Sequence, residues 1–173
     1  MAAWFKPDLF VPSVTGIDLG DLKARGLAGL CFDLDNTLVP WNTADVSPEI
    51  RDWFREVHAA GLPACIVTNA GGQRVSSVSE LLKVPSVVWA GKPSVTAFLA
   101  GARLMGVNPA RVAMVGDQIF TDIFGAKRAG MFTILVAPIT PRDFATTKIL
   151  RLAERFYLRR WQREGLIPPG YRS

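Results

Sequence analysis

Short apolar runs alternate with segments of helical period along most of this 173-residue chain. Leu27 to Leu34 (Leu-Ala-Gly-Leu-Cys-Phe-Asp-Leu) is nearly all apolar and closes on an acidic stretch, the pattern of a strand buried on both faces. Ser47-Pro48-Glu49-Ile50 carries a helix start, with serine as cap and proline in the first turn. Trp53, Phe54 and Val57 continue that helix to a stop at Gly61. The pattern then predicts a strand over Leu62–Thr68, a helix over Gln73–Leu82, a strand over Ser86–Trp89 and a helix over Ser94–Met105. Val112–Val115 and Thr133–Val136 complete five strands, with a helix over Thr121–Ala129 between them that ends at Gly130. Such alternation predicts an α/β fold: one mostly parallel five-stranded sheet with helices on both faces. Residues before Leu27 show no comparable period and read as an irregular arm.

The last stretch differs. Arg142 to Glu164 predicts a long terminal helix with Ile149, Leu152, Ala153 and Phe156 on one face. The separation of faces degrades where Arg160 returns to the apolar side, and Gly165-Leu-Ile-Pro-Pro-Gly170 ends the helix. The expected organisation is a core with its arm over residues 1–141 and a helical tail over 142–173, appended to the same domain.

Charge sharpens this division. The net charge is +5, yet residues 1–141 hold 12 basic and 12 acidic side chains, so the whole excess sits in the last 32 residues, with 8 basic and 3 acidic. An apolar fraction of 49% excludes a disordered body. Two cysteines, Cys31 and Cys65, exclude a disulfide-rich fold and a four-thiolate zinc site; lying in apolar strand runs, they read as buried free thiols. The single histidine, His58, excludes a histidine-rich metal cluster. The chain shows neither an export signal nor an apolar run of spanning length, so a reducing, cytoplasmic setting is expected.

Polar residues gather where the predicted strands end: Asp33-Leu-Asp35-Asn-Thr37, Thr68-Asn69, and Gly116-Asp117 followed by Asp122. In an open parallel sheet these ends form one rim, and ligands bind there. Lys92, just past the third strand, can join them. Four carboxylates held close repel one another, which favours a bound cation, and oxygen donors suit Mg²⁺. A metal beside Lys92 would receive a phosphoryl group.

Asp33-Leu-Asp35-Asn-Thr37-Leu38 resembles the first motif of the haloacid dehalogenase (HAD) superfamily, and Thr68-Asn69, Lys92 and Gly116-Asp117…Asp122 resemble its second, third and fourth motifs in order. Pro7-Asp-Leu-Phe, Val39-Pro-Trp41, Gln118-Ile-Phe-Thr-Asp-Ile-Phe-Gly125 and Arg128-Ala-Gly-Met-Phe-Thr-Ile-Leu-Val136 extend the resemblance to the YqeG-type members of subfamily IIIA, related to mitochondrial phosphatidylglycerophosphate phosphatase. It covers about residues 5–165. The resemblance implies a Rossmann-like HAD core. It also implies Asp33 as nucleophile forming an aspartyl-phosphate, and Asp35 as general acid–base with its carbonyl on Mg²⁺. Thr68 and the Asn69 backbone N–H would hold phosphoryl oxygens, with Lys92 offsetting charge. Asp117 would be a metal ligand, and Asp122 would bind metal waters or orient Lys92. The chain departs from the subfamily at Ala70-Gly71-Gly72, where a polar and a charged residue are usual, and at Ala90, where a basic one is.

Thirty-four residues separate Asp33 from Thr68 and 23 separate Thr68 from Lys92, too few for a cap domain beside the predicted helices. The open site favours a large or surface-presented substrate. The leading expectation is therefore a Mg²⁺-dependent phosphomonoesterase acting on phosphatidylglycerophosphate in phospholipid biosynthesis. Phosphatase action on a nucleic-acid end or a soluble ester is one alternative, and a non-catalytic membrane- or protein-docking module another. Trp41 reads either as flap packing or as a contact to the glycerol or acyl part of a lipid. The tail is open to two readings: residues 145–163 contact an anionic membrane through basic side chains with Phe156 or Trp161 inserted, or the helix packs on the core. Nucleic-acid binding ranks last, and oligomeric state is not legible.

Overall fold

The computed structural model describes residues 4–140, 156–165 and 167. In chain order the elements are β1 (Leu9–Val11), α1 (Leu19–Ala24), β2 (Gly29–Phe32), α2 (Pro48–Ala59), β3 (Ala64–Val67), α3 (Gln73–Leu82) and β4 (Ser86–Val87). They continue with α4 (Val95–Met105), β5 (Val112–Gly116), a π-helical turn (Ile119–Ile123), α5 (Phe124–Arg128) and β6 (Phe132–Val136). A final helix, α6, runs over 156–163. Among the described residues the sheet has six strands in the order β1-β6-β5-β2-β3-β4, every pair parallel.

The five-stranded expectation is corrected by β1, an edge strand three residues long within the N-terminal arm. Its partner is 125 residues away: Leu9, Phe10 and Val11 register with Ile134, Leu135 and Val136. Asp8 sets that register, because its carboxylate accepts from the Thr133 N–H (2.9 Å) and hydroxyl (2.7 Å) and from Lys127 Nζ (2.7 Å). The arm also holds α1, capped by the Asp18 side chain on the Gly20 and Asp21 N–H groups.

Strand alternation sorts the core. Leu30, Phe32, Ile66 and Val115 face α2 and α3, against Ile50, Trp53, Phe54, Val57, Val75 and Val78. Cys31, Cys65, Val67 and Met114 face α4 and α5, against Ala97, Phe98, Ala102 and Ala126. Each large side chain buried this way contributes about 1.5–3 kcal/mol. Both cysteines are free and buried, as the strand pattern predicts. The helix expected over Thr121–Ala129 begins earlier, as the π turn that carries Asp122.

Of the expected tail face, Ile149, Leu152 and Ala153 lie outside the described residues. Phe156 is 63% exposed, whereas Leu158 and Trp161 are buried with Ile119, Ile123 and Leu135. Insertion of Trp161 into a membrane is therefore contradicted: its ring is 3% exposed and tilted against Tyr157. Arg160 lies on the solvent side and pairs with Glu164.

Candidate active site

The strand order places β2 at the centre, between β5 and β3, so the residues that follow these strands converge on one rim. Asp33 follows β2 directly and its N–H donates to the Val115 carbonyl (2.9 Å). Thr68 follows β3, Asp117 follows β5, and Lys92 follows the loop after β4. All four are buried, as is Asp122.

Lys92 organises the group. Its Nζ lies 2.7 Å from Asp33 Oδ1 and 2.6 Å from Asp122 Oδ1. The Asn69 amide anchors the backbone beneath it, accepting from the Lys92 N–H (2.7 Å) and donating to the Lys92 carbonyl (3.3 Å). Thr68 Oγ1 accepts from the Ala70 N–H (3.1 Å), which orients the hydroxyl toward the rim loop. Asp122 Oδ2 accepts from the Gln118 N–H (3.2 Å). Gly116 is bare for that carboxylate: a Cβ there would stand 2.4 Å from Asp122 Oδ2.

Burial pushes the Asp33 carboxyl up to about 7; Lys92 pulls it down, and the Asp122 charge adds to the rise. Burial alone would lower the Lys92 ammonium, but Asp122 and Asp33 outweigh it and hold Lys92 above its ordinary value. One cation thus faces several buried acids.

Asp33, Asp117 and Asp122 each bring a carboxylate oxygen within 4.8 Å of the other two. A donor set made wholly of carboxylates fits a hard divalent cation such as Mg²⁺. The Asp35 carboxylate, by contrast, is outside this cluster. It faces Arg74 in a two-point pair, Nη1 to Oδ1 and Nη2 to Oδ2, both 2.9 Å, and Oδ1 also accepts from the Asn42 N–H (2.8 Å). Pattern reading missed Arg74, which looks like a solvated charge on α3; a basic residue five positions past the Thr68-Asn69 motif was the available signal.

A cleft of about 540 Å³ opens over these groups, with Asp33, Thr68 and Lys92 at its floor and Trp41, Arg74 and Trp89 on its walls. Trp89 was not singled out in the sequence. It is 72% exposed, has a left-handed backbone (φ 49°), and lays its indole on Gly71, where a Cβ would stand 2.1 Å from the ring. The Gly71 departure thus makes room for an aromatic wall. Asn36, also left-handed (φ 62°), fastens the loop after Asp35 to the bend beyond β6: its carbonyl accepts from Ile139 N–H and its Oδ1 from Thr140 N–H and Oγ1.

Residues 89–138 match the model of a family described as HAD-hydrolase-like. The chain is 37% identical to the probable phosphatase YqeG of Bacillus subtilis over 164 residues, 95% of each protein. It is 29% identical to the chloroplastic phosphatidylglycerophosphate phosphatase 1 of Chlamydomonas reinhardtii, over 95% of this chain and 65% of that one. A HAD-like phosphatase structure from Mesorhizobium loti shares the fold, with a TM-score of 0.51 and 19% identity over 86% of this chain and 89% of that one.

Proposed function

The chain belongs to the HAD phosphatases, in the family of YqeG, and from that premise we propose that it is a Mg²⁺-dependent phosphomonoesterase of phosphatidylglycerophosphate. The observation that carries the reading is Lys92, buried between Asp33 and Asp122 at the floor of an open cleft.

In this reading Asp33 attacks phosphorus and becomes the aspartyl-phosphate, while Asp35 gives a proton to the departing alcohol. Asp35 then takes a proton from the water that releases phosphate. Thr68 Oγ1, the Asn69 N–H and Lys92 Nζ hold the phosphoryl oxygens. Asp33 and Asp117, with the Asp35 carbonyl, would hold Mg²⁺, and Asp122 orients Lys92 or reaches the metal through water. When bound, Mg²⁺ neutralises carboxylate charge and polarises phosphoryl oxygens.

Two features support a lipid substrate. The segments joining Asp33 to Thr68 and Thr68 to Lys92 hold only loops, α2, α3 and short strands, so neither carries a cap domain over the cleft. Trp41 and Trp89 wall it, giving apolar surface for a glycerol or acyl portion. Exposed Phe156, Arg159 and Arg163 on α6 supply contacts to an anionic bilayer, replacing the Trp161 of the sequence expectation. No described helix is long and apolar enough to cross a membrane.

The test is phosphate release from phosphatidylglycerophosphate in vesicles, glycerol phosphate and a 5′-phosphorylated oligonucleotide, each with Mg²⁺ or with EDTA. The expected result is preference for the lipid and loss of turnover in EDTA. Equal rates on all three would remove the lipid assignment, and undiminished rates in EDTA would remove the metal.

A further inference from the structure

Arg74 sits in the first turn of α3, where the positive end of the helix dipole disfavours a cation. Its location is therefore not explained by helix stability. Its guanidinium is directed instead at Asp35, across 39 residues of sequence, and both side chains are 21% exposed. The contact is a planar fork on a planar carboxylate, which fixes the plane of the acceptor as well as its position.

The two oxygens of Asp35 are not equivalent. A carboxylate oxygen offers about two acceptor positions. Oδ1 receives both Arg74 Nη1 (2.9 Å) and the Asn42 N–H (2.8 Å), so its positions are filled. Oδ2 receives Arg74 Nη2 (2.9 Å) and keeps one. Arg74 Nη1 also donates to the Thr43 carbonyl (3.0 Å), so the fork cannot rotate without releasing the loop that carries Trp41 and Asn42.

We propose that Arg74 is the positioning residue for Asp35, and that with the Asn42 N–H it makes Oδ2 the oxygen that exchanges protons with the reacting ester. This rests on the acid–base reading of Asp35 given above. In the first half-reaction the Oδ2 proton passes to the ester oxygen as its bond to phosphorus breaks and the bond from Asp33 forms. In the second, a water proton passes to Oδ2 as the water oxygen bonds to phosphorus and the Asp33–phosphorus bond breaks. Lysine cannot reproduce the fork, so the role is specific to arginine.

Proton delivery matters for an alcohol leaving group and little for 2,4-dinitrophenolate, so the choice of leaving group isolates Arg74's effect. The experiment compares wild type, R74Q, R74K, R74A and D35N on the fastest alkyl phosphate of the substrate set above and on 2,4-dinitrophenyl phosphate, with thermal unfolding as a check on folding. Expected for R74Q and R74K is a loss in kcat/KM of about 100-fold on the alkyl ester, of the size general acid–base catalysis supplies, with less than about threefold on the aryl ester; kcat/KM reports only the step that forms the aspartyl-phosphate, whereas its hydrolysis is common to both esters. Added guanidinium should restore part of the alkyl-ester rate in R74A. Equal losses of kcat/KM on both esters would make Arg74 a mere anchor of the Thr43 loop and overturn the proposal, as would no loss at all. D35N separates the two levels: if its kcat/KM losses do not depend on the leaving group, the acid–base reading itself fails. If D35N is selective and R74Q is not, only the Arg74 proposal fails.

Discussion

Lys92 Nζ stands 2.6 Å from Asp122 Oδ1, and both side chains are almost wholly removed from solvent. A buried ion pair adds little net stability while intact, but removing one partner leaves an uncompensated charge. Lys92→Met strips the cation from Asp33 and Asp122, with Asp117 close by. Its unfolding free energy in EDTA should fall by about 3–5 kcal/mol. Mg²⁺ should recover part of that loss, since a divalent cation binding only the folded state stabilises it. Urea unfolding with and without Mg²⁺ measures both; an unchanged midpoint in EDTA would contradict the role given to Lys92.

Asp33 gives the metal-free protein a characteristic pH dependence. Its carboxyl lies at about 7 in the folded chain against an ordinary 3.8, so between those values the folded state holds a proton that the unfolded state has lost. The contribution to stability is fully present below about 3.8 and is lost as pH rises through about 7. Urea midpoints of wild type in EDTA should therefore decline over this window more steeply than those of Asp33→Asn. Identical slopes would show that Asp33 does not hold the raised value.

Trp89 and Gly71 form one unit at the cleft mouth. A methyl at position 71 would collide with the indole, and the exposed ring can yield by swinging outward. Gly71→Ala should leave stability within about 0.5 kcal/mol, as expected of surface changes. It should raise KM for lipid substrate as much as Trp89→Ala does, and the double variant should add nothing further. Additive effects in this cycle would show that the two residues act separately.

The two faces of α6 predict opposite phenotypes. Trp161→Ala removes a buried ring packed with Ile119 and Ile123 beside Asp122, and should cost about 3–5 kcal/mol. Reversing charge at Arg159 and Arg163 should leave thermal unfolding unchanged and weaken binding to anionic vesicles roughly tenfold or more, at about 1 kcal/mol per basic residue near a surface. Unchanged vesicle binding in the double reversal would remove α6 from membrane contact.

The limits of the sequence pattern follow from distance. Helix α3 was legible to the residue, and β2, β3 and β5 within a few positions, because their burial produces local periodicity. Strand β1 was not, because three residues carry no period and its place depends on Thr133 and Lys127 at the far end of the chain. Helix α1 is six residues long with only Leu22 buried. At the site, the strand-end acids were visible because parallel sheets bring such ends together. Arg74 and Trp89 were not, since each takes its meaning from a partner met only in the fold, Asp35 for one and Gly71 for the other. The tail misled for a related reason: the packed face of α6 is set by Ile119, Ile123 and Leu135, not by the helix alone.

The central claim is that Asp33 is the group that attacks phosphorus. Asp33→Asn keeps the size of the side chain and removes the nucleophile. Phosphate release from phosphatidylglycerophosphate vesicles in Mg²⁺ should fall by at least about 1,000-fold in this variant, with its fold intact, as for loss of a nucleophile that acts with its base as a unit. A variant that retains the wild-type rate would contradict the account.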